Sequence, residues 1–127
     1  YASAAQPSPV LIKFSGNDSL IEQCASEGPF IGINADLEYD THLVEFTKGN
    51  SFLTYSDALI ETRNDKGVFM GEEGICTYIT DLISTLKPKK VFNTLIQYFN
   101  KNYAKNLTDD LTIVNIINVG GKWNGLL

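Results

Sequence analysis

The spacing of apolar residues changes twice along this chain, and that change restricts the fold more than any count of residues. Thr41-His42-Leu43-Val44-Glu45-Phe46 alternates with a period of two, as a half-buried strand does. Thr47-Lys48-Gly49-Asn50 then makes a tight connection into a second strand over 51–55, so these two strands are expected to be antiparallel. From residue 72 the period becomes helical. Ile75, Ile79, Leu82, Ile83 and Leu86 form one apolar stripe, and a helix over 72–86 follows. Pro88 ends it, and Val91, Leu95, Ile96 and Phe99 mark a second helix over 90–104. The β-branched run Leu111-Thr112-Ile113-Val114-Asn115-Ile116-Ile117 returns the chain to strand. Strands, a helix pair, then a strand give an α+β class.

The earlier residues read as short extended pieces, over 1–4 and 10–14, separated by the turn that Pro7 and Pro9 impose. Ser15-Gly16-Asn17-Asp18 has the composition of a hairpin turn, and Glu27-Gly28-Pro29 punctuates again before the apolar Phe30-Ile31-Gly32-Ile33. With 127 residues, 43% of them hydrophobic, the chain is one domain or a large piece of one. It begins on Tyr1 with no methionine, and a fragment is expected.

Charge and composition remove several function classes. A net charge of −5 argues against nucleic acid, which needs a clustered basic surface. Lys87, Lys89 and Lys90 flank Pro88 and read as a solvated loop and helix start. No apolar run approaches the roughly 20 residues of a membrane helix, and the N-terminus lacks the pattern of a signal peptide. Cys24 and Cys76 fit no paired metal spacing and read as reduced thiols of a cytoplasmic protein. His42, the one histidine, reads as an outward strand residue, which leaves no Cys–His or Ser–His nucleophile.

Carboxylates remain. Asp57 closes the strand over 51–55, and Asp109-Asp110 opens the strand from 111. If those strands are antiparallel neighbours, the end of one meets the start of the other and the acids converge. Converging carboxylates repel unless a cation lies between them, and all-oxygen ligands suit Mg²⁺ or Mn²⁺. Two simpler roles stand beside this one: Asp57 as a turn residue, and Asp109 capping a turn after Asn106-Leu107-Thr108.

Five segments, in order, resemble the C-terminal half of the SpoIIE-type, metal-dependent serine/threonine protein phosphatases of bacteria. Tyr1-Ala2-Ser3-Ala4-Ala5-Gln6-Pro7-Ser8-Pro9 resembles Y-x-N-A-G-H-x-P-P, and Gly28-Pro29-Phe30-Ile31-Gly32-Ile33 resembles G-x-P-L-G-I. Residues 52–64, with Ser56-Asp57-Ala58 at their centre, resemble L-L-Y-T-D-G-L-I-E-A-R-N. Phe69-Met70-Gly71-Glu72-Glu73 resembles F-G-E-E, and Asp109-Asp110-Leu111-Thr112-Ile113-Val114 resembles D-D-I-T-L-L-V.

The resemblance implies an antiparallel β-sandwich flanked by helices in α-β-β-α layers, here a partial domain. It implies a two-metal site, Mn²⁺ or Mg²⁺, with Asp57, Asp109 and Asp110 as this chain's ligands. It further implies metal-assisted hydrolysis of phosphoserine or phosphothreonine on a signalling partner, such as an anti-sigma-factor antagonist. The family's upstream G-D-x-x-G-H-G motif is absent, so the metal site is half built and this piece alone is expected to be inactive. The N-terminal half of the domain, or a second copy, is expected to cover its open sheet. The alternative is a degenerate pseudophosphatase serving as an interaction module.

Overall fold

In the computed structural model of the chain, residues 1–15 and 18–121 are described. Four strands form one antiparallel sheet: β1 (Val10–Lys13), β2 (Leu20–Gln23), β3 (Ser51–Tyr55) and β4 (Ile113–Ile117), in the order β2-β1-β3-β4. A single-turn helix α1 (Ala58–Glu61) follows β3, and α2 (Gly71–Ile83) and α3 (Pro88–Asn102) follow as a hairpin. The observed helices lie within a few residues of those predicted. Pro88 opens α3 rather than merely closing α2, since proline at the first helical position loses no hydrogen bond.

The core lies between one face of the sheet and the two long helices. Val10, Ile12, Leu53 and Tyr55 meet Ile75, Ile79 and Ile83 of α2 and Val91, Leu95 and Phe99 of α3, all buried. The opposite sheet face carries Leu11, Phe52, Thr54, Val114 and Ile116. Only part of it is covered: Tyr1 packs on Phe52 at 5.6 Å between ring centroids, whereas Val114 and Ile116 remain 45% and 52% exposed. One sheet and one helical layer of the expected layered arrangement are therefore present among the described residues.

Two strand expectations are corrected. The run over 41–46 does not pair with β3. Both edges of β3 are taken, by β1 (Leu11↔Phe52) and by β4 (Phe52↔Ile116), so no ladder position remains for it. Its alternation is nonetheless real, because even-numbered residues are half-buried and odd-numbered ones exposed. It lies against the N-terminus instead, where the His42 N–H donates to the Tyr1 carbonyl and the Tyr1 amino group donates to the His42 carbonyl. His42 consequently does not point outward: its ring stacks on Tyr1 at 5.2 Å, and its Nε2 is buried without a hydrogen-bond partner. The expected strand over 1–4 is likewise not in the sheet, while β2 lacked an alternating signal. The turn expected at 15–18 includes Gly16 and Asn17, which lie outside the described residues.

Gly28 fixes how the N-terminal segment lies on the domain. Its φ is +149°, and a Cβ there would stand 2.3 Å from the Ser3 carbonyl oxygen, a backbone atom that cannot rotate away. The Ala5 N–H donates to the Gly28 carbonyl at 3.1 Å, so this contact holds the two segments together. Gly28→Ala is expected to lower stability by about 2–3 kcal/mol, read as a fall in the urea midpoint at unchanged slope.

Candidate metal and phosphate site

Asp57 sits at the junction of β3 and α1, and the local structure leaves its carboxylate free. It occupies the N-cap of α1, yet its side chain makes no capping hydrogen bond. The backbone does the capping work: the Asp57 carbonyl accepts from Ile60 and Glu61 N–H, both at 2.9 Å. A turn-stabilising role for the carboxylate is thereby removed. Ala58, where the resembled motif has glycine, is buried within the helical turn, a conformation in which alanine is unstrained.

Asp109 is brought to Asp57 by the sheet. The β3–β4 ladder ends on Tyr55↔Ile113, which sets the residues after β3 beside those before β4. Ser56 extends the join beyond the ladder. Its N–H donates to the Thr112 carbonyl at 2.9 Å, while its hydroxyl donates to the Asp110 carbonyl and accepts from Thr112 N–H, each at 3.0 Å. Asp57 and Asp109 then line one small cleft of about 150 Å³ together with Ala58, Glu61, Thr62 and Thr108. Ser56→Ala should cost about 1 kcal/mol in thermal denaturation, because it removes both hydroxyl bonds from a partly solvated join.

Asp110 does not line that cleft. Its contribution is backbone: its carbonyl takes the Ser56 hydroxyl, and its N–H donates to Asp109 Oδ1 at 2.7 Å. One oxygen of Asp109 is therefore engaged by the backbone of the next residue. Glu61 is the acid that sequence reasoning passed over. It stands four residues after Asp57, one helical turn on, and lines both this cleft and a larger one of about 510 Å³ shared with Asp57, Gln6, Pro7 and Phe30.

The donor set is all oxygen, which suits a hard divalent cation. Its number is small. Among the described residues, no three His, Cys, Asp or Glu side chains gather closely enough to hold a metal ion. Asp57 and Asp109 by themselves would supply only part of a coordination sphere. Ala5 and Gln6, where the resembled strand has glycine and histidine, border the larger cleft, and Ala5 holds a φ of +56° that glycine adopts without strain. Thiol chemistry is disfavoured, since Cys24 and Cys76 are both unpaired and burial pushes both thiols up, keeping them protonated. Burial, with Glu72 and Cys76 nearby, likewise raises the Tyr55 phenol, whose hydroxyl donates to the Ser8 carbonyl. No helix among the described residues is long and apolar enough to cross a membrane.

The profile of the family described as Stage II sporulation protein E (SpoIIE) matches residues 1–117. Among curated proteins none matches in sequence. The solved SiaA-PP2C domain of Pseudomonas aeruginosa superposes with a TM-score of 0.64 at 14% identity, over 87% of this chain and 43% of that one. That likeness concerns the fold, an α+β architecture of PP2C type, and this chain spans less than half the length of the matched domain chain. Because the family match covers the strand ends that carry Asp57 and Asp109, as well as both long helices, the chain belongs to the SpoIIE family.

Proposed function

We propose that this chain is part of a protein phosphatase that hydrolyses phosphoserine or phosphothreonine on a signalling partner protein, such as an anti-sigma-factor antagonist. The observation that carries the reading is the uncapped Asp57 carboxylate facing the same cleft as Asp109, in a chain of the SpoIIE family. Asp57 and Asp109 would hold Mn²⁺ or Mg²⁺. Asp110 would support Asp109 through its backbone rather than as a ligand. When bound, such an ion lowers the pKa of water and neutralises charge developing on the phosphoryl group. Asp57 and Asp109 supply compensating negative charge, and Ser56 fixes their separation. Titration calorimetry with Mn²⁺ tests this directly: weak binding to the chain that disappears in Asp57→Asn supports the reading, and binding unchanged by that substitution refutes it. The chain by itself is expected to turn over phosphopeptides negligibly, because its ligand set is incomplete.

A second reading has its own support. Gln6 and the strained Ala5 border the larger cleft where the resembled motif has histidine and glycine, which suits a pseudophosphatase that keeps the fold as an interaction module. Mn²⁺-dependent turnover by the complete protein would exclude it. For the outer sheet face, with Val114 and Ile116 exposed, we propose cover by the remainder of a phosphatase domain or by a second copy.

A further inference from the structure

A second surface lies one cleft away from the acidic one, and nothing in the proposed hydrolysis uses it. Residues 73, 77 and 81 of α2 recur at i, i+4 and i+8, on the side away from the buried Ile75, Ile79 and Ile83. Together with Tyr78, Tyr98 and Tyr103 they line a groove of about 620 Å³. The tyrosines make a continuous aromatic wall: Tyr78 and Tyr98 stack with centroids 4.3 Å apart, and Tyr98 meets Tyr103 at 6.0 Å. Glu72 also reaches the groove, but its two oxygens are taken by Ser8 N–H and Gln23 Nε2. Glu73 and Asp81, both exposed, remain, and no lysine, arginine or histidine lines the groove.

Tyr103 is buried, stacked on Phe99, and Tyr98 packs against both Tyr78 and Tyr103, so the half-buried Tyr78 is the ring nearest in sequence to the exposed Glu73 and Asp81 on α2. A ring beside uncompensated carboxylates attracts a cation, because quadrupole and charge act in the same sense. The same surface already holds one such contact, with the Arg63 guanidinium 5.1 Å from the Phe69 centroid. The groove is also connected to the candidate site. It shares Phe69 and Gly71 with a cleft of about 500 Å³ that contains Ile60 and Glu61, and Glu61 in turn lines the cleft of Asp57.

We propose that the groove between α2 and α3 binds an arginine or lysine side chain of the protein substrate, in the stretch flanking its phosphorylated residue. This rests on the phosphatase reading for the identity of the partner, but not for the groove's preference for a cation. The test is an NMR titration of the isotope-labelled chain with three peptides: acetyl-Gly-Arg-Arg-Gly-amide and its Glu-Glu and Leu-Leu counterparts. Saturable shifts centred on Tyr78 and Tyr98 are expected with the arginine peptide alone, weakening as salt rises. Asp81→Lys, at an exposed position that leaves the core intact, should weaken binding at least about fivefold. Asp57→Asn should abolish Mn²⁺ binding while leaving peptide binding unchanged, so the groove and the phosphatase reading can fail separately. Equal shifts with the leucine peptide, no saturable shift with the arginine peptide, or an unaltered affinity in Asp81→Lys would each overturn the proposal. So would sedimentation showing that a second copy of the chain occupies the groove.

Discussion

Asp57→Asn, introduced into the complete protein, is expected on the proposed phosphatase reading to reduce Mn²⁺-dependent turnover of a phosphopeptide at least about 100-fold, close to 2.7 kcal/mol of transition-state stabilisation. The amide preserves shape and removes the charge. Because Asp57 is exposed and makes no capping hydrogen bond, the same substitution should change unfolding free energy by less than about 0.5 kcal/mol. The two measurements separate a lost ligand from a damaged fold. Turnover within threefold of the parent would remove Asp57 from the chemistry and leave its presentation at the strand end unexplained.

The largest effect on stability is expected at Phe99. Its side chain is fully buried and stacks on Tyr103 with centroids 5.6 Å apart and planes within 14°. Phe99→Ala removes transfer free energy and leaves a cavity between α3 and its neighbours, at a cost of about 3–5 kcal/mol. Chemical denaturation should show the midpoint moving by most of its range, with folding lost near physiological temperature if the isolated chain is marginal. A loss below about 1 kcal/mol would mean that this end of the helix pair is not packed as described.

What the sequence made legible follows from how strongly each element is constrained. The helices were readable because α2 and α3 each bury a single stripe, so Ile75, Ile79 and Ile83 and then Val91, Leu95 and Phe99 leave a 3.6-residue period. The strand β2 was not, because it is an edge with almost nothing buried, and its Leu20 and Ile21 are followed by Glu22 and Gln23. The run over 41–46 misled in the opposite direction. Alternation reports that one side is covered, not that hydrogen bonds join a ladder, and there the cover comes from the N-terminal segment. The position of Asp57, exposed just past the end of β3, was legible because the apolar run of that strand stops at Tyr55. Glu61 was hidden inside a helix too short to give a period, and the bond from the Asp110 N–H to Asp109 Oδ1 left no mark in the paired acids of the sequence.

The Ser56 join has an evolutionary consequence. It fastens Ser56, through its N–H and its hydroxyl, to the backbone of Asp110 and Thr112, so the distance between the two acid-bearing positions is inherited from the sheet and this join rather than negotiated by the acids themselves. A lineage can exchange Asp57 or Asp109 for other residues one at a time while the frame around them stays unaltered, and relief of repulsion between them would even favour the exchange. Loss of catalysis in such a scaffold would leave no trace in its folding. Descendants would retain the outline of an enzyme with a ready-made, vacant position in which another ligand chemistry could be installed.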